Sequence, residues 1–231
     1  CSSDLFTDVR KKDYQIDGAE YFDEALSEDC IASWIGQATT LRLAACVDFT
    51  DDRVARLSDV ASRCGSLDSL FIFGPSENIE EPLDNLVKIL GAFSQAPNLR
   101  TVGFRSSLAL EGMDPGNEGV AALASKLQEL THLEDLSINE CDLSTKEAME
   151  VLSSVLQNLT QLPGLSFDQC PIGAEGFTTL VSAFEKMTQL KRLCFYRCEG
   201  RLGVDGGAAL SSALQTKTQM EYLGFVGDFV G

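Results

Sequence analysis

The sequence predicts an α/β fold in which a strand and a helix alternate as a repeated unit along most of the chain. Three observations support this fold class. An apolar pattern starts again about every 30 residues, a cysteine returns at its ninth position in four copies, and apolar residues spaced three and four apart separate successive copies. With 231 residues, 44% of them hydrophobic, the chain can bury a sizeable core, and disorder is excluded as its general state.

The repeated pattern is clearest over residues 133–143, which read L-x-x-L-x-L-x-x-C-x-L. We number positions from the start of each copy, and the copies start at residues 38, 67, 99, 133, 162, 190 and 220. Positions 1, 4 and 6 are apolar, which predicts a strand with these side chains buried against the next copy. The sixth position is Phe in four copies, and these residues are expected to form an aromatic column: Phe104, Phe167, Phe195 and Phe225.

The ninth-position cysteines are Cys46, Cys141, Cys170 and Cys198. We expect each to be buried, reduced and free of metal, with a weak S–H donor facing backbone carbonyls. Eight cysteines in 231 residues are too dilute for a disulfide scaffold. Between the strands, the apolar spacing predicts helices, for example around Val120 and Leu123 and around Phe177 and Leu180.

This pattern resembles the leucine-rich repeat family, and within it the ribonuclease-inhibitor-like class, whose repeats have 28 or 29 residues, Cys or Asn at the ninth position and a full α-helix. The resemblance covers residues 38–231. It implies a solenoid shaped as a horseshoe, with a parallel β-sheet on the concave face and α-helices on the convex face. Seven repeats are expected, the last one incomplete.

Residues 1–37 do not fit the repeat and carry nine acidic against three basic residues. We expect this segment to cap the first repeat, and a docking peptide is the alternative. The apolar residues suited to a short capping helix are Ala25, Leu26, Ile31, Trp34 and Ile35. Two longer repeats place insertions at Gly74 to Pro82 and at Ser106 to Gly119, which fit either partner binding or neutral drift.

The termini suggest that the chain is a processed product or a fragment. It opens with Cys1 and lacks the charged and apolar regions of a signal peptide, and a mature bacterial lipoprotein is the minority alternative. It stops six residues after Phe225, so that either the natural protein continues or a neighbour covers that end. We expect an intracellular protein, in a compartment that the sequence does not identify.

Charge and hydropathy exclude several classes of function. Lys and Arg number 18 against 35 Asp and Glu, a net charge of -17, which argues against binding to nucleic acid or to an anionic membrane. The longest apolar runs have only a few residues, so no transmembrane segment is predicted.

Catalysis and metal binding are poorly supported. The single histidine, His132, lies in a predicted loop without a paired nucleophile. The segment 203–207 lacks the lysine of a phosphate loop and is expected to begin a helix. Cys194 and Cys198 are spaced like zinc ligands, but strand alternation sends them to opposite faces. We predict no cofactor and no metal, and we interpret the sequon Asn158-Leu159-Thr160 as accidental.

The concave face is the predicted binding surface, because positions 2, 3, 5, 7 and 8 point to solvent there. Six of the 18 basic residues gather on this face beside aromatic rings, a composition typical of interface hot spots. The predicted partner-binding residues are Arg42, Phe71, Phe73, Arg100, Arg105, Lys191, Arg192, Tyr196, Arg197 and Tyr222. The alternative is that Glu134, Asp135 and Glu140 merely balance the basic charge.

These observations predict a non-catalytic scaffold for protein–protein interaction, with a place in a larger assembly as one form of that role. A regulator of an enzyme, either a nuclease inhibitor or a GTPase-activating factor, is the second class, and a fragment of a leucine-rich-repeat sensor is the third. An inhibitor of a basic nuclease needs an acidic concave face, whereas this one is mixed to basic around Arg100 and Arg105 and around Lys191 and Arg197.

Overall fold

The computed structural model describes residues 7–8, 13–16, 23, 37–44, 49–74, 82–106, 110, 116, 118–172, 174–200 and 203–227. From β3 onward, strands and helices alternate within these residues, and the strands form one open sheet in chain order, from β1 to β9. The strands are β1 (Thr7–Asp8), β2 (Asp13–Ile16), β3 (Thr40–Ala44), β4 (Ser69–Phe73), β5 (Thr101–Arg105), β6 (Asp135–Asn139), β7 (Gly164–Asp168), β8 (Arg192–Tyr196) and β9 (Tyr222–Val226).

The eight strands from β2 to β9 are all parallel, and β1 pairs antiparallel with β2. The described helices are α1 (Asp51–Arg63), α2 (Pro82–Phe93), α3 (Glu118–Glu129), α4 (Lys146–Leu156), α5 (Ala174–Lys186) and α6 (Gly203–Gln215). The predicted α/β solenoid with a parallel sheet is therefore confirmed. Among these helices, none combines the length and the apolar content that crossing a bilayer demands.

Local sequence explains where the helices begin. Thr50 precedes α1 in extended conformation, and its hydroxyl accepts a hydrogen bond from the backbone N–H of Arg53 at 3.4 Å. Thr145 does the same for α4, accepting from the N–H of Ala148 at 3.2 Å. Such side chains satisfy N–H groups that have no partner within the first turn. The segment expected to begin a helix does so, since α6 starts at Gly203.

The core lies between the sheet and the helices, on the strand face that carries positions 4 and 6. From β3 to β8, position 4 is at most 2% exposed and position 6 at most 1%. Phe167 stacks on Phe195 with ring centroids 5.0 Å apart, and Phe195 stacks on Phe225 at 5.4 Å. The predicted aromatic column is therefore real, and identical positions pack because the register advances by one whole repeat per strand.

The cysteine at position 9 occupies the turn that leaves each strand. Cys141, Cys170 and Cys198 are buried free thiols. The Cys170 Sγ donates to the carbonyl of Ile138 at 3.4 Å, and the Cys198 Sγ donates to that of Phe167 at 3.7 Å, the equivalent atom one repeat later. The predicted burial and carbonyl contacts are confirmed for these three, whereas Cys46 lies outside the described residues.

From the copy that starts at residue 99 onward, position 8 adopts a left-handed backbone that the sequence analysis did not predict. Ser106, Glu140, Gln169 and Arg197 have φ between 49° and 54°, and Gly227 has φ of 111°. The N–H groups of the first four extend the parallel ladder, as where Glu140 donates to the carbonyl of Asp168 at 2.9 Å. This turn redirects the chain from the sheet toward position 9.

The N-terminal segment adds strands to the sheet. β2 pairs with β3 in the register Asp13 to Thr40, and the Ile16 side chain is 2% exposed in the core. The residues proposed for a capping helix, from Ala25 to Ile35, lie outside the described residues, as do positions 75–81 and most of 107–117 in the two insertions.

Candidate functional site: the concave face

The concave face is the side of the sheet opposite the helices, formed by positions 3, 5 and 7 of the strands with positions 2 and 8 at its rims. The structure places all ten predicted binding residues on this surface. Arg42, Phe71, Phe73, Arg105, Arg192, Tyr196 and Tyr222 lie on strands, Arg100 and Lys191 lie at position 2, and Arg197 lies at position 8.

Ion pairs cross from strand to strand on this face. Arg105 is bound to Glu140 through two hydrogen bonds of 2.9 and 2.7 Å, and Arg100 contacts Glu134. The Lys191 Nζ lies 3.6 Å from a Glu221 oxygen. The acidic neighbours weighed in the sequence analysis thus do pair with the basic residues.

From β3 to β9 the concave face carries equal numbers of basic and acidic residues, although the chain carries -17. Positions 2, 3, 5, 7 and 8 of the described strands β3 to β9 hold six basic and six acidic residues. The basic ones are Arg42, Arg100, Arg105, Lys191, Arg192 and Arg197, and the acidic ones are Asp68, Glu134, Asp135, Glu140, Asp168 and Glu221. The excess negative charge therefore lies elsewhere on the chain.

One ion pair spans three strands. Arg192 on β8 reaches across β7 and donates to both carboxylate oxygens of Asp135 on β6, at 3.0 and 2.9 Å. Gly164 lies between them in register, and a Cβ there would meet the Asp135 Oδ1 at 1.8 Å. The missing side chain at Gly164 is what lets the two charged groups meet.

Guanidinium groups also lie over aromatic rings on β3, β4 and β5. The Arg42 Cζ is 5.3 Å from the Phe71 ring centroid, and the Arg105 Cζ is 5.7 Å from that of Phe73. The Phe71 ring also covers Gly103, where a Cβ would lie 2.3 Å from it. Cation–π contacts of this kind hold the guanidinium groups against the aromatic rings at the protein surface.

Arg197 is bound differently from the other basic residues of the β5–β9 region. Its guanidinium lies 4.7 Å from the Tyr196 ring centroid and donates to the Tyr196 hydroxyl at 3.1 Å. No carboxylate of the described residues lies within ion-pair distance of it. Beside it, Tyr222 is 51% exposed and Val226 is 41% exposed. We call Tyr196, Arg197, Tyr222 and Val226 the β8–β9 patch.

Small residues form the middle row of the face from β5 to β9, at position 5. They are Gly103, Ser137, Ser166, Cys194 and Gly224. The Ser166 hydroxyl donates to that of Ser137 at 3.1 Å. Beside this row, the Asp168 Oδ1 is buried and has no hydrogen-bond partner among the described residues. An unsatisfied carboxylate oxygen disfavours the folded state.

The electrostatics of the face follow from these contacts. The hydrogen bonds from Arg105 hold the pKa of the Glu140 carboxyl below its ordinary value, and those same bonds raise the pKa of Arg105. Burial raises the pKa of the Cys194 thiol, which makes it a poor nucleophile.

Other groups singled out in the sequence do not join this site. His132 is exposed in the turn before β6. Cys194 faces the concave side and Cys198 is buried, so they diverge as predicted. No three metal-binding side chains cluster within the part of the chain that the structure describes. The sequon residues Asn158 to Thr160 line a pocket of about 280 Å3 on the helix-to-strand loops, away from the concave face.

Sequence reasoning missed two features of the face. It did not include Val226, although counting seven positions from residue 220 gives that residue. It placed Asp168 on the face without assigning it to the binding set, and no pattern signals that one of its oxygens is buried and unpartnered.

No family model matches the chain, and no curated protein matches its sequence. The geometry of the concave face is therefore the basis for a functional argument.

Proposed function

We propose that this protein is a leucine-rich-repeat scaffold without catalytic activity that binds another protein on its concave face. The repeat of about 29 residues, the ninth-position cysteines and the parallel sheet support the family assignment. The buried thiols favour a reducing, intracellular compartment.

The β8–β9 patch is the observation that carries this proposal. Tyr and Arg are the residue types most often found as interface anchors. Here a tyrosine ring and a guanidinium are held against each other, which lowers the entropy lost on binding. The Arg197 guanidinium can still donate hydrogen bonds to a carboxylate. Tyr222 and Val226 offer exposed apolar surface beside it.

The charges of the chain narrow the class of partner. With a net charge of -17, nucleic acid and anionic membranes are repelled at long range. The balanced concave face does not repel an acidic segment at short range. We therefore favour a protein segment that presents a carboxylate to Arg197 and an apolar side chain to Tyr222.

The test places a photo-crosslinking amino acid at Tyr196 in the full chain and identifies the proteins captured in the native extract. Ser125, exposed on α3, receives the same group as a control. We expect a defined protein captured at position 196 and absent at position 125.

A double variant then separates binding from folding. Tyr196→Ala with Arg197→Ala removes two interface anchors, each worth about 2 kcal/mol or more, so we expect capture from a crosslinker at Arg105 to fall at least tenfold. The matched control is Lys126→Ala with Lys146→Ala on the helices. Undiminished capture by a folded Tyr196/Arg197 variant contradicts a concave binding site.

A further inference from the structure

An apolar pocket of about 280 Å³ lies between the loop before β6 and the loop before β7, where α3 and α4 end. Its floor consists of five buried leucines: Leu127, Leu130, Leu133, Leu159 and Leu162. Leu133 and Leu162 occupy position 1 of their repeats and are 8% and 4% exposed. Position 1 is at most 1% exposed in the copies that start at residues 38, 67, 99 and 190. The core is therefore more open at this junction than at position 1 of those four copies.

The next junction, between the loops before β7 and β8, shows how the same loops pack when they meet. There the Gln189 N–H and the Thr188 hydroxyl both donate to the Thr160 carbonyl, at 3.2 and 3.3 Å. At the pocket, the equivalent backbone groups are the Gln161 N–H and the Thr131 carbonyl, and within the described residues no hydrogen bond joins them. The two loops therefore stand apart, and the pocket is the space between them.

Hydrogen bonds hold the walls of the pocket in place. The Gln128 Nε2 at the end of α3 donates to the Asn158 carbonyl at 2.8 Å, which ties the two loops together on one side. The Asn158 Nδ2 donates in turn to the Ser154 carbonyl at 2.6 Å. The Leu162 N–H donates to the Leu159 carbonyl at 3.2 Å within its own loop. Because the pocket is already formed, a ligand does not have to order these loops on binding.

The lining of the pocket is uncharged, although 23% of the residues of the chain are charged. Its rim consists of amide and hydroxyl side chains: Gln128, Thr131, Asn158, Thr160 and Gln161. Charged residues nearby in the sequence pair outside the pocket, as where the Lys126 Nζ lies 2.9 Å from a Glu129 oxygen. An ion that entered would lose hydration without gaining an opposite charge. The pocket therefore suits a neutral ligand.

We propose that this pocket binds a small neutral molecule that has a flat apolar ring system and one hydrogen-bonding group. An apolar cavity of about 150 Å³ holds a single benzene ring, so a pocket of about 280 Å³ accommodates two fused rings. The rings contact the leucine floor, and the polar group meets the Thr131 hydroxyl or the Gln161 amide. Those two side chains make no hydrogen bond to any described residue. The site shares no residue with the β8–β9 patch, so the inference goes beyond the proposed function.

NMR titration of the ¹⁵N-labelled full chain with 2-naphthol, a neutral two-ring molecule with one hydroxyl, tests the proposal. We expect saturable shifts of the amide signals of residues 131 and 158–162, with a Kd of about 1 mM or lower, an ordinary affinity for about 11 non-hydrogen atoms. 2-Naphthoate has the same rings and a negative charge, and is expected to bind at least about tenfold more weakly. Salt of about 0.15 M screens the long-range repulsion of this anion by the acidic chain.

A substitution at the rim tests the location of the site. Gln161→Trp places a two-ring side chain at the mouth of the pocket, and we expect it to lower the affinity for 2-naphthol at least tenfold. Gln161 is exposed, so the variant is expected to fold, and its melting curve checks this. The matched control is Gln219→Trp, because Gln219 is also exposed and precedes position 1 of another repeat. This control is expected to bind 2-naphthol as the parent does.

The absence of saturable shifts overturns the proposal, as do equal binding of 2-naphthoate or an unchanged affinity in folded Gln161→Trp. Shifts of equal size at the other repeat junctions overturn it as well, because they indicate unspecific binding. A photo-crosslinking amino acid at Gln161 reads out a protein occupant: capture there of the protein captured from Tyr196 would show that a partner segment fills the pocket instead. None of these variants alters the concave face, so the proposed function is tested separately.

Discussion

The ninth-position thiols fill a turn where a larger side chain has no room. Each is buried and donates to a carbonyl of its own turn or of the preceding repeat. Burial is the main cause that raises the pKa of Cys170 and Cys198 well above that of a free thiol. The thiolate, which is the reactive form, is therefore disfavoured in the folded protein.

Thiol reactivity is the first residue-scale prediction. In the native chain at pH 8, we expect Cys141, Cys170 and Cys198 to be labelled more slowly than the half-buried Cys194, because only local unfolding exposes them. Peptide mass spectrometry after timed alkylation measures each site, and denatured protein gives the full reaction as a control. A disulfide linking two of the three, seen before reduction, contradicts the packing role.

The Arg105–Glu140 pair makes a pH-dependent contribution to stability. Since the pKa of Glu140 is lowered in the folded state, the stabilisation is present above the ordinary glutamate value near 4.3 and is lost as the pH falls through the lowered value. Both side chains are largely exposed, so its size is at most about 1 kcal/mol.

The test compares the parent with Arg105→Ala by urea unfolding at several pH values. The difference in free energy of unfolding is expected to be largest near pH 7 and to vanish in strong acid. NMR titration should also find the Glu140 pKa higher in the variant. A difference that grows as the pH falls is incompatible with this pair.

At the scale of the elements, the stacked phenylalanines test whether the loss of stability follows the burial of the side chain that is removed. Phe195 is fully buried between Phe167 and Phe225 and also touches Phe177, whereas Phe225 is only partly buried at the sheet edge. Phe195→Ala is expected to cost about 3–5 kcal/mol, the usual range for a core phenylalanine, and Phe225→Ala distinctly less. Chemical denaturation measures the free energy of unfolding of both variants. Equal losses of stability would show that burial does not determine the effect of removing these side chains.

The strands and their buried positions were predictable because a period-two pattern, repeated seven times, averages out local ambiguity. Positions 1, 4 and 6 and the solvent-facing positions were placed correctly for this reason. The left-handed backbone at position 8 was not predictable, since four of the five residues that adopt it are not glycine. Ion-pair partners such as Arg105 and Glu140 are 35 residues apart, so only the register of the folded sheet reveals them.

At the scale of the whole molecule, the charge is sorted between two surfaces. From β3 to β9 the concave face carries equal numbers of basic and acidic residues, while the remaining residues hold the full excess of acid. Added salt will screen the long-range repulsion between the chain and acidic partners. The proposed binding of an acidic partner is thus expected to strengthen as the ionic strength rises from low to physiological values.

The Asp135–Arg192 ion pair affects how this solenoid unfolds. A solenoid in which each repeat touches only the next behaves as a one-dimensional lattice with nearest-neighbour coupling, and opening spreads from an end one unit at a time. This bridge joins units two apart, because Gly164 leaves room for it. It adds a second-neighbour coupling of at most about 1 kcal/mol, so that the β6, β7 and β8 units exchange their amide hydrogens more nearly as a single block.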